Sequence, residues 1–232
     1  KEELPFEKAG LPVIICKDHK PYKQRKVRIL NGAHTSFVLG AYLAGQDIVR
    51  DCMNDDVISG FMNKTIYDEI IPTLTLPEEE LKEFAAAVKE RFNNPFVDHA
   101  LLAISLNSTS KWKARVMPSL KGYVDKFGKI PTCISASLAF YIQFYTGKRL
   151  EENALIGVRK DNEYEIKDDR YVLEFFDAHK DDSAADIAKA VLSNTDFWGE
   201  DLTQITGLLD DVTKDLITAR EKGTYEVMKE CL

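Results

Sequence analysis

A chain of 232 residues can bury one good core, or at most two small ones. Hydrophobic content of 44% and charged content of 30% exclude a disordered chain, and no apolar run approaches the ~20 residues that span a bilayer. A net charge of −7 speaks against nucleic acid as the main partner.

The opening, KEELPFEKAG, has acids where a secretory signal would have a basic end and an apolar core, and it reads as a cut inside a longer protein. Residues 1–20 are expected to be a connector, with residues 11–16 as a short strand or an extended segment packed on a neighbour. Pro21 then precedes a first long helix, predicted over residues 22–44 and stopped by Gly45. A shorter helix follows at 47–53. Helical spacing of Val57, Ile58, Phe61, Met62, Ile66 and Ile70 predicts another over 55–71, which Pro72 ends.

Pro77 opens the next helix, whose acids at Glu78–Glu80 and bases at Lys89 and Arg91 complement the helix dipole. Asn94-Pro95 is expected to cap and start a helix carrying Phe96, Val97, Ala100, Leu101 and Ile104. Residues 111–127 are expected to be helical despite Pro118. Residues 132–145 are almost wholly apolar and predict the central buried helix. Residues 157–170 form a charged loop or small hairpin, and short helices are expected at 171–179, 183–193, about 200–221 and 224–231. The fold class is all-α, in one domain spanning residues 1–232.

Within the first long helix, Lys26, Asn31 and His34 draw attention. At ~100° per residue, with Lys26 at zero, His34 falls near 80° and Asn31 near 140°. One arc then presents an amine, a carboxamide and an imidazole, a set suited to proton transfer at a carbinol or carbonyl oxygen. The structural alternative is a solvated lysine beside a cap and a satisfied polar pair. Residues 17–34 hold six Lys and Arg against Asp18 alone, a local charge of +5 that leaves −12 on the remainder. Such a segment attracts an anionic small molecule, or is simply a solvated helix start.

Several chemistries have no footing in the sequence. Cys16, Cys52, Cys133 and Cys231 form no CxxC pair, so reduced thiols in a cytoplasmic protein are expected. His19, His34, His99 and His179 lack metal-ligand spacing, and no metal site is expected. No two glycines make a GxG, so neither a dinucleotide fingerprint nor a phosphate loop is present, and there is no GxSxG. Any nucleotide used by this chain must be held by another domain.

The stretch KVRILNGAH, with Lys26, Asn31 and His34, resembles the catalytic signature of the mannitol dehydrogenase family of long-chain polyol-specific dehydrogenases. The resemblance extends over KPYKQRKVRILNGAHT, RFNNPFVDH and ISLNSTSKWKARVMPSL, hence over most of the chain. These stretches are most similar to the tagaturonate-reducing (altronate oxidoreductase) branch, with the fructuronate-reducing branch near it. The resemblance implies a helical C-terminal domain similar to that of 6-phosphogluconate dehydrogenase, separated from its own N-terminal Rossmann domain, which would bind NAD. It implies reduction of a sugar acid, D-tagaturonate to D-altronate, without a metal ion. Lys26 would be the general acid and base, Asn31 a donor to the reacting oxygen, and His34 a ligand of a substrate hydroxyl that orients Lys26.

The segment Asn107-Ser108-Thr109-Ser110-Lys111 matches a family segment whose lysine contacts polar groups of the substrate, which makes Lys111 and Asn107 substrate-binding candidates. His99 matches a histidine of the uronate-reducing branch. A solvated helix start and a satisfied helix histidine are the structural alternatives for Lys111 and His99. Some polyol-oxidising members carry an arginine where this chain has Ala103, which disfavours a mannitol-type substrate. Trp112 and Trp198 are expected to pack, and Arg115 to be a salt-bridge partner. The other readings are a fructuronate reductase or mannitol-type dehydrogenase domain, and a non-catalytic helical interaction domain. An open face bearing Lys26, Asn31 and His34 distinguishes the enzyme from the last of these.

Overall fold

Pro21 sits in the first turn of α1 (Lys20–Arg25), where a missing N–H costs no hydrogen bond. The computed structural model describes residues 5–6, 8–11, 13 and 15–232. The helix continues without a break through a π-helical stretch, Lys26–Gly32, into α2 (Ala33–Ala44), and Gly45 closes it at φ 114°. The long first helix is therefore present, but its middle has i→i+5 winding rather than α winding. Of the strand expected at 11–16, Pro12 and Ile14 lie outside the described residues, and Leu11, Val13, Ile15 and Cys16 belong to no strand.

Two short helices follow, α3 (Val49–Met53) and α4 (Asp56–Lys64). Asp55 caps α4 by accepting from the backbone N–H groups of Val57 and Ile58 at 3.0 and 2.9 Å. The helix then passes into a second π stretch, Thr65–Ile70, and a 3₁₀ turn, Ile71–Thr73, that contains Pro72. The acid-led helix is α5 (Glu78–Phe92).

The helix expected to start at Asn94-Pro95 does not form there. Asn94 Oδ1 accepts from the Phe96 amide at 3.0 Å and makes a turn, after which the chain runs extended. Arg50 fixes it by donating to the Pro95 carbonyl at 2.8 Å and to Asp98 at 2.6 Å, and a bridge joins Ile48 to Ala100. Helical structure resumes only at α6 (Leu101–Ser105). The helix expected over 111–127 is two helices, α7 (Ser108–Arg115) and α8 (Met117–Phe127). Pro118 occupies the first turn of α8, so the joint at Val116 absorbs its missing donor.

The central helix is α9 (Thr132–Tyr145), buried along nearly its whole length between neighbours on several sides. After it come β1 (Arg149–Leu150), β2 (Leu155–Arg159) and β3 (Asn162–Ile166), a small antiparallel sheet in sequential order, with Leu155 opposite Ile166. The remaining helices are α10 (Arg170–Ala178), α11 (Ala184–Leu192), α12 (Thr195–Trp198), α13 (Leu208–Lys222) and α14 (Thr224–Glu230). The helix expected over about 200–221 is thus a 3₁₀ turn, Leu202–Gln204, followed by α13, whose start is set by Gly207 at φ 88°. The domain is all-α apart from the hairpin-based sheet. Among the described residues no helix is long and apolar enough to cross a membrane.

Helix α9 packs against α2 and α13. Gly40 makes the first contact possible, since a Cβ there would lie 2.6 Å from the Phe140 ring and 2.7 Å from Met228 Cε. Trp112 and Trp198 are both packing residues, with 1% exposure each. Their indole N–H groups bond to Ser137 Oγ at 2.9 Å and to the Val191 carbonyl at 2.7 Å.

Where α13 and α14 face the start of α9, Asp215 shares a polar cavity with Ser135, Asp211, Lys214 and Glu230. Burial raises the Asp215 carboxyl from its ordinary 3.8 to about 7, with Asp211 and Glu230 adding to the rise and Lys214 opposing it. The folded-state value is the higher one, so its stabilising contribution is complete below the unfolded value and is lost as pH rises through about 7. Asp215→Asn should therefore raise the unfolding temperature of the full-length protein at about pH 8 and leave it nearly unchanged at about pH 4. Melts at the two pH values check this, and equal shifts at both would refute it.

Candidate active site

The stretch 26–34 lies where the first helix changes its winding. In the i→i+5 pattern of Lys26–Gly32, residues five apart share a side, so Lys26 and Asn31 face the same way more nearly than α geometry gives. Lys26 is exposed and makes no hydrogen bond or ion pair among the described residues, while Asn31 and His34 are half-buried. The basic run around Lys26 is partly committed elsewhere. Arg25 pairs with Glu80 at 2.5 Å and lies over the Phe84 ring, and Arg28 is buried.

His34 is held by stacking. Its ring lies 3.9 Å from that of Phe92 at an interplanar angle of 22°, and meets the His99 ring edge-on at 5.5 Å. Burial, with the neighbouring His99 ring and the Arg115 guanidinium adding to it, lowers the His34 pKa to about 3. The imidazole is therefore neutral at physiological pH and acts as a hydrogen-bonding group rather than an acid. Its Nε2 is buried with no partner among the described residues. His99 itself is exposed on the extended segment before α6, with its carbonyl accepting from Val49 N at 3.0 Å, and is not the helix histidine expected.

Gly32 allows α7 to approach this arc, since a Cβ there would lie 3.1 Å from the Arg115 carbonyl. The Thr35 hydroxyl donates to the Asn31 carbonyl at 2.9 Å and accepts from Arg115 Nη1 at 3.5 Å. Arg115 forms no salt bridge among the described residues, contrary to expectation, and half-burial lowers its pKa. It enters the site as a cation that residue type alone assigns to a salt bridge.

Lys111 is half-buried one turn before Arg115, its ammonium donating to the Ile104 carbonyl at 2.9 Å. Burial, then the charge of Arg115, lowers its pKa, with Asp168 opposing. Asn107 precedes α7 in a left-handed conformation at φ 52°, exposed, its carbonyl accepting from the Lys111 amide at 3.2 Å. Asp168 anchors the start of α7 from across the fold. One of its oxygens, Oδ2, accepts from Thr109 Oγ1 at 2.8 Å, from Thr109 N at 3.1 Å and from Tyr145 OH at 2.6 Å. Thr109 Oγ1 also lies 2.7 Å from Tyr141 OH. This buried network ties α7 to α9 and so sets the height of Lys111 and Arg115.

The structure brings His34 within electrostatic reach of His99 and Arg115, and Lys111 within reach of Arg115, with Lys26, Asn31 and His34 on the same first helix. Among the described residues no hydrogen bond or ion pair joins Lys26 to His34 or Lys111. Chemically the face offers an exposed amine, a neutral imidazole with an unfilled nitrogen, a carboxamide and two cations lacking a carboxylate of their own.

A family model described as the mannitol dehydrogenase C-terminal domain matches residues 18–219. The chain belongs to the mannitol dehydrogenase family. Among curated members it is similar to altronate oxidoreductase of Pectobacterium atrosepticum, 43% identical over 228 residues, covering 96% of this chain and 46% of that protein. Altronate oxidoreductase of Enterobacter sp. (strain 638) is 41% identical over 234 residues, covering 98% and 46%. The chain thus spans about half the length of the curated relatives it matches. Among solved structures, Pseudomonas fluorescens mannitol 2-dehydrogenase, in a ternary complex with NAD and D-mannitol, superimposes with a TM-score of 0.81 at 22% identity, over 97% of this chain and 43% of that one. A substrate-free D-sorbitol dehydrogenase does so at 0.76, also at 22% identity and with the same shares covered. At that identity these two establish the shared helical fold.

Proposed function

We propose that this chain is the substrate-side half of an NAD-dependent sugar-acid dehydrogenase, cytoplasmic, that reduces D-tagaturonate to D-altronate. The dinucleotide would be held by an N-terminal Rossmann domain outside residues 1–232, in keeping with the absence of any GxG here and with relatives about twice as long. The observation that carries the reading is the exposed Lys26 ammonium on the π turn, beside Asn31 and the neutral, unfilled imidazole of His34. The names of the relatives above support the choice of substrate.

Lys26 delivers a proton to the carbonyl oxygen as it becomes an alcohol, and withdraws it in the reverse direction. Asn31 donates a hydrogen bond to the same oxygen where charge develops. His34 engages a substrate hydroxyl through Nε2, filling a buried site that is otherwise costly to leave unpaired. Lys111, Asn107 and His99 hold the remaining hydroxyls and the carboxylate, and Arg115 adds positive charge beside them. When bound, the reduced nicotinamide supplies the hydride to the carbonyl carbon.

A substrate panel on the full-length protein tests this. NADH oxidation with D-tagaturonate should exceed that with D-fructuronate and, by about two orders of magnitude in kcat/KM, that with a neutral ketose, because charged side chains left without the substrate carboxylate lose several hydrogen bonds at once. Residues 1–232 alone should give no turnover. A neutral ketose as the preferred substrate, or activity in the isolated chain, would remove the proposal.

A further inference from the structure

We infer that the groove between the first turns of α1 and the α7–α8 joint binds the oxyanion end of a small molecule, a phosphoryl or carboxylate group. The groove encloses about 330 Å³ and is lined by Lys20, Lys23, Gln24 and Arg28 from the first helix. Val27, Ala114 and Pro118 complete it as apolar walls. Among the described residues no carboxylate lines it. The neighbouring Asp18 has Oδ1 occupied by the Lys20 backbone amide at 2.9 Å.

Arg28 decides the matter. It is 9% exposed, yet among the described residues its guanidinium hydrogen-bonds only neutral hydroxyls, with Nε donating to Ser119 Oγ at 2.6 Å and Nη2 to Thr73 Oγ1 at 3.1 Å. Among the described residues it has no ion-pair partner, and its Nη1 donates to none of them. Burial lowers its pKa to about 10, which leaves it charged at neutral pH. A guanidinium has five N–H donors in a fixed fork, and a buried cation without a counter-charge is costly. An anion arriving from solvent supplies that counter-charge, and the two hydroxyls hold the fork ready for it. Lys20 and Lys23, one turn apart and exposed, add charge at the mouth, and Gln24 adds an amide donor. The apolar walls lower the local dielectric and strengthen each of these attractions.

Lys26, His34 and Lys111 do not line this groove. It shares helices with the candidate active site but is a separate place, and the inference does not rest on the dehydrogenase reading.

The test is isothermal titration of the full-length protein with inorganic phosphate and, in a second arm, with D-gluconate, at ionic strength held constant with sodium chloride. One or both probes should bind saturably, and the arm that binds identifies the group recognised. Lys20→Ala/Lys23→Ala, which alters exposed side chains only, should weaken that binding about tenfold or more with an unchanged unfolding temperature, since charged hydrogen bonds of this kind are each worth up to tenfold or more. Lys111→Ala should leave it intact. The inference is overturned if neither probe binds, if the double variant binds as wild type does, or if Lys111→Ala abolishes the binding instead.

Discussion

Lys26→Ala in the full-length enzyme is expected to lower kcat for carbonyl reduction by about 10²–10⁴-fold, the range for loss of a positioned general acid, with NADH binding nearly unchanged. The side chain is exposed and makes no hydrogen bond or ion pair among the described residues, so its removal leaves packing alone. That separates a chemical effect from a structural one, because exposed substitutions of this kind shift stability by about 0.5 kcal/mol or less. Asn31 and His34 remain in the variant and can still polarise and bind, which is why the loss should not reach the whole rate enhancement. Steady-state rates, cofactor fluorescence titration and a melt on the same preparation check the prediction together. A fall of less than about tenfold in kcat would take proton transfer away from Lys26.

Glu69→Ala should produce the largest loss of stability of any single polar substitution in the chain, about 3–5 kcal/mol. Glu69 lies in the second π stretch and is 2% exposed. Its two oxygens accept from the N–H groups of Cys133 and Ile134, both at 2.8 Å, and Oε1 also from Thr132 Oγ1 at 3.2 Å. Helix α9 begins after Pro131, whose side chain offers nothing to those donors, so a carboxylate from another element does the capping. Burial raises the Glu69 pKa and these three hydrogen bonds pull it back, with burial prevailing. Alanine would leave two buried donors unpaired at the start of the helix on which the core is built, and a void beside them. Urea unfolding of the full-length protein should show a lower midpoint at unchanged slope. The exposed control Glu79→Ala should shift it by no more than about 0.5 kcal/mol, and a Glu69→Ala midpoint matching that control would refute the capping role.

Periodicity and the placement of Pro and Gly made most helices legible, because a buried stripe and a barred donor are properties of local sequence. Where tertiary partners decide, local signals misled. Asn94-Pro95 has the form of a helix start, but Arg50 engages the following backbone and draws it out straight. The π winding at Lys26–Gly32 was invisible, since residue types do not distinguish a bond four residues back from one five back, and the arc drawn at ~100° per residue misplaced Asn31 relative to Lys26. Residue types on one arc single out Lys26, Asn31 and His34 but leave a solvated lysine and a satisfied polar pair open, and the spacing of a family motif is what assigns them roles. Asp168 gave no signal at all. It sat in a charged stretch, and its partners Thr109 and Tyr145 are 59 and 23 residues away. Arg115 reads in sequence as an ordinary salt-bridge partner, and only the lack of a carboxylate partner among the described residues sets it apart.

The wider winding at residues 26–32 amounts to one surplus residue stored inside an otherwise continuous rod. Winding the same residues as ordinary α-helix would swing everything upstream by about 100° relative to α2. The core facing α2 would notice little, whereas Lys26 would point away from Asn31 and His34. At this turn the aim of the amine is therefore set by the pitch of the backbone and not by the strength of any contact.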